Sequence, residues 1–302
     1  MEKMAVYTLE AGIAMTVLAL VAYALYAISG VRAARLAAAG VPMTTGRVGF
    51  VSGPRTASIG RYATILGWLG FILLGASLVF RTVATGHGPF SNMYEFSVAF
   101  AWGILGTYYW FEHKYHQRIL GLIALPVALA LLFYALSIPA GSDIEPLVPA
   151  LQNNLLLSVH VATAIVAYGS FTIAFAAALL FLVQPESGRW GLPKPQILDE
   201  IGYRAIVVGF PFLTLTIVLG ALWADVAWGR YWGWDPKETW SLITWFVYGI
   251  YLHYRLLGGG SRGSRAERLP VLNAIFAVLG FLFTLFTYFG VSYLLPSLHS
   301  YS

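Results

Sequence analysis

Six of the ten tryptophans, Trp223, Trp228, Trp232, Trp234, Trp240 and Trp245, fall within 23 consecutive residues. Between Trp228 and Trp240 the chain reads Trp-Gly-Arg-Tyr-Trp-Gly-Trp-Asp-Pro-Lys-Glu-Thr-Trp. Flat aromatic faces spaced by glycines can stack on a large planar apolar ligand, and Arg230 and Lys237 are placed to pair with carboxylates at its edge, with Arg81 a third candidate. A porphyrin with two propionates has that shape and charge. An aromatic belt at a membrane interface is the plainer account, but a belt puts a few aromatics at each helix end and does not run through a loop. Asp235-Pro236 with Glu238 following also reads as a helix start, Asp235 as N-cap and Pro236 at the first helical position. That role for Asp235 and a direct role toward a ligand stand level.

The chain has no cysteine and six histidines, so no disulfide or thiolate chemistry is open to it and any metal chemistry runs through imidazole. His113 and His116 sit beside Lys114 and Arg118 in a short charged connection and read as solvated residues. His87, in Gly86-His87-Gly88-Pro89, reads as a surface residue. His160 begins an apolar run, and His299 follows the last one. Two neutral imidazoles on opposite faces satisfy six-coordinate heme iron, and these two are the candidate axial ligands. His299 stands four residues from the end of the sequence given, where an ordered tail would be needed to hold it.

The elements that position these residues are apolar helices. The 302 residues are 59% hydrophobic and 10% charged, with mean hydropathy +0.73, whereas a soluble domain carries about 25% charged residues. Apolar runs near the roughly 20 residues that cross a bilayer recur near 6–29, 63–80, 93–111, 119–137, 157–183, 203–223, 239–257 and 271–295. They leave no room for a separate soluble domain. The expectation is one all-α polytopic membrane domain over 1–302, a bundle of about eight transmembrane helices, with the tryptophan-rich stretch 223–240 an outward loop within it. The first run lacks a basic n-region and a small-residue cleavage site and reads as an anchor.

Alternating from an outward N-terminus, 14 of the 18 basic residues fall on one side, and only Lys3, Arg81, Arg230 and Lys237 on the other. The positive-inside rule makes the first side cytoplasmic, so the net charge of +5 records orientation in a lipid bilayer rather than nucleic-acid binding. Both termini and the loops 81–92, 138–156 and 224–238 then face outward, and His160 and His299 share that face with the tryptophans. His253 lies 14 residues beyond Thr239, about 21 Å down the seventh helix, where an ionisable group is costly and usually functional. A neutral histidine bonded to a neighbouring helix is the plainer reading of it. The Gly-, Arg- and Ser-rich stretches 30–62 and 258–270 read as mobile connectors.

The run from Trp223-Ala224-Asp225 through Trp228–Trp240 to Tyr251-Leu252-His253-Tyr254-Arg255 closely resembles the WWD domain of heme-handling proteins. Within that superfamily the chain is most similar to the CcsA, or ResC, family of system II cytochrome c biogenesis, and Ser91-Asn92-Met93-Tyr94-Glu95 resembles that family too. The resemblance implies heme b as cargo, two outward histidines as its ligands, matching His160 and His299 in order and sidedness, and an inner ligand at His253. It implies a CcsB- or ResB-like membrane partner, a C-x-x-C-H apocytochrome as acceptor, and a thioredoxin-like thiol reductant that keeps the acceptor reduced. The home membrane would be a bacterial inner membrane or a thylakoid, with the tryptophan loop facing periplasm or lumen.

The expected activity is heme transport and covalent attachment, a heme lyase in which thiols of the acceptor add to heme vinyl groups while this chain orients them. No nucleophile of its own is required, which agrees with zero cysteines. The alternative is a WWD exporter of the CcmC type that passes heme to a chaperone without forming the bond, though those relatives are shorter. A secondary transporter of another hydrophobic substrate ranks last, since no internal repeat is visible.

Overall fold

The computed structural model describes residues 1–38, 54–139, 141–144, 151, 154–184, 192–258 and 264–296, and all regular structure among them is helical. The helices are α1 (Glu2–Ala38), α2 (Pro54–Thr85), α3 (Met93–Tyr115), α4 (Gly121–Ser137), α5 (Asn154–Val183), α6 (Pro195–Trp228), α7 (Pro236–Gly258) and α8 (Ser264–Leu285). A 3₁₀ turn at Arg118–Leu120 leads into α4, and α8 continues through a π-helical turn, Phe286–Gly290, into a last turn α9 (Val291–Leu294). Each expected span has its helix. The observed helices run past most expected ends, because their last turns are polar or aromatic and do not register as apolar runs.

Six of the helices have the length and composition of membrane spans. The other two, α3 and α7, are 23 residues each, about 35 Å at 1.5 Å per residue and long enough for a hydrocarbon core of about 30 Å. Their polarity sets them apart, with Glu95 and Glu112 on α3, Lys237 and Arg255 on α7, and many Trp and Tyr on both. α3 can carry its carboxylates because it is central, buried along most of its length from Tyr94 to Glu112. The protein is an all-α membrane protein.

Both carboxylates of α3 are saturated with donors, as charges at this depth must be. Glu95 pairs with Arg81 Nε at 2.8 Å and accepts from the backbone N–H and hydroxyl of Ser91. The Arg81 guanidinium also donates to the carbonyls of Ser142 and Asp143, which ties α2, α3 and the connection after α4 at one face. At the other end Glu112 accepts from Tyr23 (2.5 Å), Thr64 (2.5 Å) and Tyr108 (2.6 Å), with Arg118 Nε at 3.4 Å. α3 is thus pinned to α1, α2 and the α4 entrance at two levels about 26 Å apart. Ser77 donating to the Ala5 carbonyl, and Lys237 to Ser292 Oγ at 3.1 Å, join further helix ends on the Glu95 face.

α5 lies along α6, and small residues make that approach possible. Ala174, Ala176 and Ala177 are fully buried, and a Cβ at Gly209 would meet the Phe171 ring at 2.6 Å. This packing holds His160 on α5 against α6.

Candidate heme-handling cleft

On the Glu95 face a cleft opens to solvent between α3, α5, α6, α7 and the π-helical turn. His160, Trp223, Trp232, Lys237 and Glu238 line it, together with Met93, Phe100, Tyr168, Gly220, Thr287 and Tyr288. Four residues expected to meet a ligand from separated stretches of sequence are therefore in one cavity.

The His160 ring is oriented from three sides. Nδ1 lies 2.9 Å from the carbonyl oxygen of Thr216; a carbonyl only accepts, so Nδ1 is the protonated nitrogen and Nε2 carries the basic lone pair. The Trp223 ring lies parallel to the imidazole, at 6° and 6.4 Å between centroids. Gly220 leaves room beside Cε1, where a Cβ would stand at 2.8 Å. Among the described residues no group of three His, Asp or Glu side chains could hold a bare metal ion. A single oriented imidazole beside aromatic walls suits iron whose four equatorial ligands come from a macrocycle.

The tryptophan stretch 223–240 is only partly a loop. α6 continues to Trp228 and ends on Gly229, whose φ of +71° is the left-handed cap that glycine permits. Irregular chain is confined to 229–235. Trp223 is 2% exposed and stacks edge to face on Trp228 at 4.8 Å. Trp232 turns into the cleft, whereas Trp234, with φ +55°, is 68% exposed and stands edge-on to Trp232 at 5.7 Å. Trp240 packs on Phe283 and Phe286, so it joins α7 to α8.

Asp235 caps α7, its Oδ2 accepting from Lys237 N–H at 3.0 Å, and Glu238 Oε2 accepts in return from Asp235 N–H at 3.0 Å and Gly233 N–H at 2.9 Å. This reciprocal capping box shows Asp235 starting α7.

Of the three cations, Lys237 lines the cleft. It stands ahead of the apolar stretch 239–257, and burial pushes its ammonium down to about 8, with Asp235 acting in the opposite direction. Arg230 is exposed on the loop, folded over Gly233. Arg81 is 6% exposed, is paired with Glu95, and is not a lining residue of the cleft; it also donates to the carbonyls of Ser142 and Asp143. His253 is on the exposed side of α7. His299 lies outside the described residues.

The reading of single residues missed Gly220, Thr216, Met93, Phe100, Tyr168 and Tyr288. The first two look like ordinary helix packing, and the aromatics like core. The π-helical turn, a feature frequent at functional sites, has no signature in the sequence Phe-Thr-Tyr-Phe-Gly.

Comparison with known proteins agrees with this arrangement. Residues 90–299, which hold the whole cleft, match the family described as Cytochrome C assembly protein. The cytochrome c biogenesis protein CcsA of Guillardia theta is 37% identical over 66% of this chain and 73% of its own length. CcsA of Trieres chinensis is 34% identical over 79% and 84%, and that of a Synechococcus strain 33% over 78% and 84%. α1 and α2 lie ahead of the family match. With the cleft built from its matched helices, the chain belongs to the CcsA family of cytochrome c assembly proteins and acts in cytochrome c biogenesis.

Proposed function

We propose that the chain takes heme b across the membrane to this cleft, faces the cleft to the periplasm or lumen, and presents the heme there for covalent attachment to apocytochrome c as the heme-lyase part of a complex with a CcsB/ResB-type partner. One observation carries the reading: His160 is fixed as the Nδ1–H tautomer in the wall of a cleft that also holds Trp232 and Lys237. His160 Nε2 is an axial ligand, Trp232 a stacking face, and Lys237 a counter-ion for a propionate. Arg230, exposed on the loop 229–235, is a second counter-ion, and His299 is the opposing axial ligand.

In attachment each cysteine thiol of the acceptor's C-x-x-C-H segment adds across a vinyl group. An S–H bond and the vinyl π bond break and an S–C and a C–H bond form, so nothing is oxidised or reduced overall. The thioredoxin-like reductant acts earlier, keeping both acceptor thiols free. The contribution of this chain is orientation, which holds vinyl carbons at contact distance from the thiols. His253 on the outer side of α7 is the inner ligand, completed by the partner.

The test is the absorption spectrum of the purified full chain, alone and with the partner. Low-spin bis-histidine bands that disappear in His160→Ala support the reading. Preparations from heme-replete cells that carry no heme in either form overturn it.

A further inference from the structure

We propose that Gly220, with the hydroxyl pair Thr163 and Thr216, is a positioning device for His160, setting the angle and tautomer of the imidazole and so the ligand field it gives to iron; this rests on the axial-ligand role just proposed. The residues form one small frame. Thr216 Oγ1 shares its one proton between the Phe212 carbonyl at 2.8 Å and Thr163 Oγ1 at 3.0 Å, Thr163 Oγ1 donates to the His160 carbonyl at 2.7 Å, and His160 Nδ1–H donates to the Thr216 carbonyl at 2.9 Å. These contacts join one turn of α5 to one turn of α6, with Thr163 and Thr216 buried. Their geometry fixes how far α5 can slide along α6.

Gly220 stands one turn after Thr216 on the same face of α6. A Cβ there would come to 2.8 Å from His160 Cε1 and 3.2 Å from Nδ1, distances a side chain does not tolerate. With Trp223 parallel to the ring at 6.4 Å between centroids, an imidazole pushed off by a Cβ at Gly220 would also be pushed from the Thr216 carbonyl. The ring has a tryptophan and a glycine as neighbours, and its proton is assigned by a backbone carbonyl that no change of side chain removes. A neutral acceptor leaves the ligand a neutral imidazole rather than pushing it toward imidazolate, and outer hydrogen bonds of this kind tune metal affinity and potential.

The experiment compares the heme-loaded full chain, purified with its endogenous heme, as wild type, Gly220→Ala, Thr163→Val, Thr163→Ser and His160→Ala, with and without added imidazole. The readouts are the low-spin electron-paramagnetic-resonance pattern, the reduction potential and the rate of heme loss to an apo-globin trap. Gly220→Ala should shift the resonance pattern and potential and raise heme loss about tenfold, the lower end of the effect of losing an outer-shell partner. Thr163→Val should do the same in smaller measure, and Thr163→Ser should behave as wild type. In a His160→Ala background rescued by imidazole, Gly220→Ala should add little, because a free imidazole settles in its own orientation. Unchanged signals in Gly220→Ala, or an equal loss of heme in the His160→Ala background, overturn the inference and reduce Gly220 to helix packing. A wild-type spectrum in His160→Ala itself overturns the axial-ligand reading instead.

Discussion

The Nδ1 of His160 on α5 lies 2.9 Å from the carbonyl oxygen of Thr216 on α6, so a hydrogen bond between two helices selects which ring nitrogen carries the proton. His160→Ala should abolish the low-spin spectrum of the outer site. Imidazole at millimolar concentration should restore part of it, because the vacancy matches the lost ring. His160→Gln, which keeps a donor but supplies no imidazole, should fail to restore it. Heme quantified per protein by pyridine hemochrome separates loss of ligand from loss of protein.

Trp232 and Trp234 sit two residues apart and face different surroundings, one lining the cleft and the other 68% exposed. Trp232→Ala should lower heme retention several-fold, as expected when a stacking face worth about 1 kcal/mol is removed. Trp234→Ala should leave retention near wild type. Trp68→Ala and Trp102→Ala, in the transmembrane packing, should not affect retention except through protein yield. Equal retention losses in Trp232→Ala and Trp234→Ala at matched protein levels would favour a general interfacial role for the stretch.

How far the sequence could be read depended on the signal. Eight apolar runs and their charge asymmetry were enough for the helices, since the bilayer demands length and apolarity in each span. Ends were displaced where helices finish in aromatics, as at Trp223–Trp228, where hydropathy falls but the helix continues. The gathering of His160, Trp232 and Lys237 followed from sidedness alone. The pairing of Arg81 with Glu95 did not, because an outward cation looks the same whether it meets a ligand or a carboxylate 14 residues on. Nor did the split between Trp232 and Trp234, which depends on a left-handed backbone at Trp234.

Arg81 and Glu95 form a buried pair at 2.8 Å, and Arg81→Ala leaves the carboxylate with the Ser91 donors alone. Breaking such a pair costs about 3–5 kcal/mol. The variant should show a lower melting temperature in detergent and reduced yield, while any heme it retains keeps the wild-type spectrum. Replacing both residues with methionine should recover much of the loss. A shifted spectrum in Arg81→Ala at normal stability would return Arg81 to the ligand contacts.

Lys237 offers a test by pH and by ligand. Its ammonium, pushed down by burial to about 8, is charged below that value and loses its charge as pH rises through it, so its pairing with a propionate should weaken on the alkaline side. A bound anion favours the charged form and moves the loss to higher pH. Heme affinity of the wild type should therefore decline above about pH 8, while Lys237→Met should bind more weakly at neutral pH and show a flatter profile. The dimethyl ester of heme, which lacks the anions, should bind both forms alike. A profile unchanged by Lys237→Met would remove the counter-ion role.

His253 tests the route by which heme reaches the cleft. It is exposed on α7 in register with Phe246, Ile250 and Leu257, which are also exposed, so these four lie on one face at helical spacing. A histidine on such a face, about 26 Å from the start of α7, has no acidic neighbour among them, and an imidazole at that depth needs a partner from outside the helix. If that partner is heme held jointly with a CcsB-like subunit, His253→Ala should deplete heme at the outer cleft although His160 and Trp232 are intact. The defect would be one of supply: heme added from the outer side should fill the cleft of the variant as well as that of wild type. Co-expression of the partner should raise heme content in wild type and raise it less in His253→Ala. A variant that fills its outer cleft normally in the complex would make His253 a packing residue of the α7 face, and heme would then reach His160 by another path.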